Sequence, residues 1–174
     1  DRIRVIAPFL EVEGDPYLVS ISIDKDHKDY SYNQNQYWIV DCYTKSRTYP
    51  YSSVPPNGKP ITYIRNSVKA IVDAYSGDIN LYISEANDPI IKAWRNVYPT
   101  LFKSLNEMPS SIREHLQVPT SLFELQVQQL LRFHVTDPRS FYNGDDFWEV
   151  PMELYGDKQI PVVPYHVTAQ LQAN

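Results

Sequence analysis

Val68-Lys69-Ala70-Ile71-Val72-Asp73-Ala74-Tyr75-Ser76-Gly77-Asp78-Ile79-Asn80-Leu81-Tyr82-Ile83-Ser84 places two apolar runs on either side of Ser76-Gly77-Asp78. β-Branched and aromatic residues fill both runs, and Gly77 can supply the positive φ of a tight turn. The stretch therefore predicts a hairpin of strands over residues 68–75 and 79–84. Working outward, Tyr17, Val19, Ile21 and Ile23 alternate with Leu18, Ser20 and Ser22, the period of two that marks a half-buried strand. Residues 36–44 form a further strand, apolar enough for Trp38, Val40 and Cys42 to face one layer while Tyr37, Ile39 and Tyr43 face another. The polar run 24–36 reads as a loop or long hairpin tip, and 46–60, with four prolines, as an ordered but irregular connection.

Downstream the period changes from two to that of a helix. Asp88-Pro89 supplies an N-cap and a proline at the first helical position, and Ile90, Trp94, Val97 and Tyr98 follow at helical spacing until Pro99. A short helix is expected over 109–116. A longer one is expected over 121–134, opened by a Ser121/Glu124 capping box and striped by Phe123, Val127, Leu130, Leu131 and His134. Asp137-Pro138 begins one more turn, ended at Asn143-Gly144. The expected fold is α+β: an antiparallel sheet from the N-terminal half, with short proline-delimited helices from the C-terminal half packed on it. No Ser/Gly linker divides the halves, so residues 1–174 are expected to form a single domain.

The length of 174 residues suffices to bury roughly 70% of the unfolded surface. Sixteen basic against twenty-one acidic residues give a net charge of −5, which disfavours nucleic acid as a partner. No apolar run approaches the roughly 20 residues of a bilayer span, so the chain as given is expected to be soluble. One cysteine, Cys42, rules out an internal disulfide and a Cys-based zinc site. Fourteen tyrosines point to faces where rings are buried and hydroxyls stay wet, and fourteen prolines against five glycines point to stiff connections. With no initiator Met at Asp1 and a strand-like run, 162–171, close to its end, the sequence reads as an excised fragment.

Two patterns hold candidate chemistry. Ile39-Val40-Asp41-Cys42-Tyr43-Thr44 recurs as Ile71-Val72-Asp73-Ala74-Tyr75-Ser76, which suggests two equivalent strand ends. Each Tyr lies two residues after its Asp, so Asp41, Tyr43, Asp73 and Tyr75 would form one acidic aromatic binding patch if the ends were neighbours. The plainer alternative is that each Asp caps its own turn. Asn143-Gly144-Asp145-Asp146-Phe147-Trp148-Glu149 is the second pattern, where Asp145 and Asp146 are candidate binding residues. A cation there is weighed against a helix exit followed by a strand that Phe147 and Trp148 anchor to the core. The hexapeptide 24–29 begins like a calcium loop, but glycine is missing from its sixth position and glutamate from its twelfth. His134 reads as a core or helix-capping histidine, and Cys42 as an inert buried thiol. No phosphate loop, nucleophile elbow, paired catalytic carboxylates or metal-ligand spacing is present, so no catalytic residue, metal or cofactor is expected.

The segments Asp1-Arg2-Ile3-Arg4, Ala7-Pro8-Phe9-Leu10, Tyr37-Trp38-Ile39-Val40-Asp41, Tyr63-Ile64-Arg65-Asn66-Ser67-Val68-Lys69-Ala70, Asp88-Pro89-Ile90, Ala93-Trp94-Arg95 and Phe141-Tyr142-Asn143 resemble uncharacterised protein family 0182 across nearly the whole chain. Cys42 and His166 depart from it, standing where alanine and an aromatic are expected. The resemblance implies large multi-pass bacterial membrane proteins, with this domain part of a soluble region outside the cytoplasm and joined to the membrane through N-terminal spans. It supplies no site residues. Asp73-Ala74-Tyr75-Ser76-Gly77 is separately similar to the hairpin of PepSY-type modules. The function expected first is therefore an extracytoplasmic module that binds another envelope protein or a small ligand. A structural part of a transporter or envelope assembly comes second, and an envelope enzyme third.

Overall fold

A computed structural model describes residues 2–22, 34–52 and 61–167. The polar run with its calcium-like hexapeptide, much of the proline-rich connection and the end of the 162–171 run lie outside them. The chain forms two compact units, 1–117 and 118–174.

In the first unit, α1 (Arg2–Ile6), β1 (Glu11–Val12), β2 (Tyr17–Ser22), β3 (Gln34–Ser46), β4 (Tyr63–Asp73) and β5 (Ile79–Ile83) precede α2 (Pro89–Val97), β6 (Phe102–Ser104), the 3-10 turn Leu105–Glu107 and α3 (Ser110–Arg113). Six strands make one sheet in the order β1-β3-β4-β5-β6, with β2 also paired to β3. The class is α+β, as the periodicities require. Pairing is antiparallel throughout except for β6, which runs parallel to β5 because α2 carries the chain back across the sheet. The expected hairpin forms: β4 pairs with β5 in the register Val72↔Ile79 to Val68↔Ile83, and Gly77 turns with φ +73°. A Cβ on Gly77 would also meet the Arg2 guanidinium, which can swing aside, so it is the positive φ that calls for glycine here.

The central strands are apolar on both sides because both faces of the sheet are covered. On one face Val40, Cys42, Val68, Ala70, Leu81 and Ile83 meet Ile3 of α1, Ala7 just after it, and Ile91 of α2. On the other, Ile39, Ile71 and Tyr82 meet Val19 and Ile21 of β2 together with Met108 and Ile112. Helix α2 begins as read, with the Asp88 side chain accepting from the Ile90 amide at 3.0 Å and Pro89 at the first position. Outside the α2 core contact, Phe9, Trp94 and Tyr98 lie nearly parallel, Phe9 and Trp94 with centroids 4.0 Å apart.

The second unit contains α4 (Thr120–Phe133), α5 (Pro138–Asn143), β7 (Met152–Tyr155) and β8 (Lys158–Pro161), the strands forming an antiparallel pair. Helix α4 starts one residue earlier than the sequence suggests, on Pro119, with no side-chain cap bond in place of the Ser121/Glu124 box. Proline fixes the extended entry but has no side-chain acceptor to offer the first-turn amides. Helix α5 keeps its expected ends: Asp137 caps the Ser140 amide, and Gly144 closes the helix in the left-handed conformation. No strand forms over residues 147–149 or 162–167.

Candidate functional site

The polar chemistry of the first unit gathers at an irregularity between β3 and β4. Cys42 pairs with Val68 but Thr44 with Arg65, so Asn66 and Ser67 both stand opposite Tyr43. The extra residue is a β-bulge, which breaks the alternation so that Ser67 and Val68 both serve the α2 side. Ser67 turns to the α2 side and Asn66 to the other, each toward a buried carboxylate.

Asp88 is the first carboxylate, 2% exposed at the head of α2. Its Oδ2 accepts from the Ser67 hydroxyl at 2.6 Å and from Thr44, and its Oδ1 accepts from the Tyr63 phenol at 2.7 Å and from the Ile90 amide. Burial works to raise its pKa, yet the four donors together outweigh it and hold the group below the ordinary carboxylate range. Tyr63 shifts upward, through burial and then through its bond to Asp88. Asp41 is the second carboxylate, 4% exposed, ion-paired with Lys69 and accepting from Asn66 Nδ2 at 3.0 Å. The Lys69 ammonium also donates to the Gln117 carbonyl at 3.2 Å, while the Gln117 amide donates to the Tyr17 hydroxyl at 3.0 Å. Both backbone groups of Gln117 are thus tied to the sheet. Burial, with Asp41 nearby, pushes Tyr17 up to about 12. Among the described residues every buried side-chain nitrogen or oxygen has a partner, and no group of three potential ligands could hold a metal. The arrangement can fasten a bulged strand to α2 and to Gln117; its lone pairs and protons are already committed.

The expected patch of Asp41, Tyr43, Asp73 and Tyr75 is not assembled. The two echoed segments meet at Ile39↔Ile71 and, being antiparallel, run apart from there. Asp41 consequently opposes Lys69, and Asp73 opposes Tyr37, four residues or about 13 Å along β3. Only the second copy is a strand end; Asp41 lies in mid-strand. Tyr43 is buried, its hydroxyl donating to Glu13 at 2.7 Å, whereas Tyr75 is 76% exposed. Asp73 accepts from the Ser76 and Tyr75 amides, which lower its pKa in that order, the turn-capping role weighed for it. Asp145 and Asp146 are exposed beyond the α5 exit, Asn143 reaching Asp145 at 3.4 Å. Phe147 meets the edge of Phe141, and Trp148, half-exposed, stacks on His134 with centroids 3.8 Å apart. His134 is the C-cap of α4, its ring nitrogens 2.9 and 3.0 Å from the Leu130 and Asp146 carbonyls. Cys42 is fully buried, and burial pushes its thiol up to about 12.

Sequence reasoning missed the Lys69 and Ser67 roles and saw Asp88 only as a cap. One signal was present: a lysine inside an apolar strand run needs a buried partner. The partner's identity depends on register.

The model of the uncharacterised protein family UPF0182 matches residues 1–174. The chain belongs to this family. It is 66% identical to a UPF0182 protein of Prochlorococcus marinus over 170 residues, covering 98% of this chain and 18% of that relative. It is 61% identical to one from a Synechococcus species, with the same coverage, and 44% identical to one from Microcystis aeruginosa, where 98% of this chain covers 17% of the relative. The UPF0182 chain thus spans less than a fifth of the length of these bacterial relatives. No solved structure matches it. Among the described residues no helix is long and apolar enough to cross a membrane.

Proposed function

We propose that this chain is a binding domain of a larger multi-pass bacterial membrane protein, located outside the cytoplasm, in which residues 1–117 are the scaffold and residues 118–167 present the binding surface. The observation that carries the reading is the exposure of large apolar side chains in the second unit. Helix α4 has no buried residue, Leu154 and Tyr155 of β7 are 75% and 77% exposed, and Trp148 is 52% exposed. Apolar surface held in water at this density is characteristic of interaction sites. The commitment of both buried carboxylates to donors within the chain favours binding over catalysis, since a general acid or base needs a free position facing substrate. The place outside the cytoplasm rests on the resemblance to multi-pass proteins.

The test uses the full-length protein. Replacing Leu154 and Tyr155 by serine should abolish its function under a growth condition where deletion is felt, while protein level and membrane insertion stay unchanged. Retained function would sink the binding surface. A reporter fused after Asn174 should be active outside the cytoplasm, and activity inside would overturn the location.

A further inference from the structure

The exposed side of α4 is organised. Phe123, Gln126, Leu130 and Phe133 follow one another at spacings of three, four and three, and all four are exposed. Spacings of this kind draw a narrow stripe along one side of a helix, the seam that receives a second helix. Only one member of the stripe is shared with the unit's own packing: Phe133 stacks on Phe141 of α5 with centroids 5.7 Å apart and still keeps 55% of its surface exposed. His134 faces inward and stacks on Trp148, whose amide donates to the Leu131 carbonyl.

Charge and area narrow the occupant. The second unit has Arg132, Arg139 and Lys158 against seven carboxylates, so an anionic lipid surface would repel it, and α4 lacks the basic flanks of a helix that lies on a membrane. Phe123, Leu130 and Phe133 are 46%, 55% and 55% exposed. At roughly 100 Å² each they offer about 300 Å², well short of the roughly 800 Å² per partner of a stable free complex. A seam of that size is enough when its partner is tethered, because a shared polypeptide supplies an effective concentration of about millimolar. Relatives of this chain are more than five times its length, since it spans 18% of them.

We propose that the α4 stripe receives an apolar helix of the same polypeptide, from outside these 174 residues. This rests on reading 118–167 as a binding surface and names its occupant. Phe123, Leu130 and Phe133 are the knobs, and Gln126 sets the register, since a polar residue in an apolar seam disfavours every alignment that leaves its amide unpaired.

Cysteines placed singly by Leu130→Cys and Gln129→Cys in the full-length protein, purified in detergent, would be alkylated with a maleimide and read by peptide mass spectrometry. Gln129 is exposed beside the stripe and serves as the reference. The thiol of Leu130→Cys should react at least roughly tenfold more slowly than that of Gln129→Cys in the full-length protein, and at a similar rate in the 174-residue chain. Equal rates in the full-length protein overturn the proposal. So does slow labelling that speeds up on dilution, which points to a second copy, and so does slow labelling already present in the 174-residue chain. Hydrogen exchange of the unmodified α4 amides covers the case of a variant that does not fold. Exchange no slower in the full-length protein than in the shorter chain would also overturn it. A reporter active in the cytoplasm leaves this result standing. Equal labelling together with loss of function on changing Leu154 and Tyr155 rejects the occupant and keeps the binding domain.

Discussion

Replacing Asp88 by alanine removes the group on which α2, β3 and β4 converge. The lost cap on the Ile90 amide costs about 1 kcal/mol. Thr44 and Ser67 are 1% and 0% exposed and lie 3.1 Å apart, so after the change one hydroxyl can donate to the other while the second stays unpaired. An unpaired buried hydroxyl costs about 1 to 3 kcal/mol, and the charge-assisted character of the lost bonds adds about 1 more. The Tyr63 phenol is only half-buried and regains water. The expected loss is therefore about 3 to 5 kcal/mol, a large part of the roughly 5 to 15 kcal/mol that holds a domain together. Urea unfolding followed by tryptophan fluorescence reads it, since Trp38 and Trp94 both lie in this unit. Asp88→Asn keeps the capping oxygen and should lose about 1 to 2 kcal/mol. Because the folded pKa of Asp88 lies below its unfolded value, its contribution is present above the unfolded value and disappears as pH falls through the folded one. The acid loss of stability below about pH 4 should consequently be shallower in Asp88→Asn than in the wild type. A loss under about 1 kcal/mol for Asp88→Ala, or an unchanged acid slope in Asp88→Asn, would refute the reasoning.

Other perturbations separate buried from exposed roles. Tyr43→Ala should cost about 3 to 5 kcal/mol, as for a large buried ring, and Tyr75→Ala within about 0.5, both by urea unfolding. Lys69→Met leaves Asp41 charged and buried and should cost about 3 to 5 kcal/mol, whereas adding Asp41→Leu should recover most of it, since an apolar pair of similar volume can replace an ion pair. Cys42 should resist a thiol reagent at pH 8 in the native chain and react fully in denaturant, because its thiol is both enclosed and held protonated up to about 12.

Local rules were enough for the elements whose ends carry their own chemistry. Gly77 and its flanking runs dictated the hairpin, Asp88-Pro89 and Asp137-Pro138 dictated where α2 and α5 begin, and the alternation in β2 named its buried face. Each depends on residues within one turn or one strand. Register is not local. Asp41 and Asp73 share the preceding Ile-Val and the Tyr two residues on, yet antiparallel pairing at Ile39↔Ile71 sets one against Lys69 in the interior and leaves the other capping an exposed turn. The bulge at Asn66 and Ser67 belongs to two strands at once, so no single-strand pattern contains it, and the Asp88 network needs β3, β4 and α2 in place together. Helix α4 shows the same division from the other side. Its sequence fixed neither burial nor exposure, because an apolar stripe says only that something must cover it. Only the packed structure decides that His134 is used within the unit, that Phe133 is shared between Phe141 and solvent, and that Phe123 and Leu130 remain open.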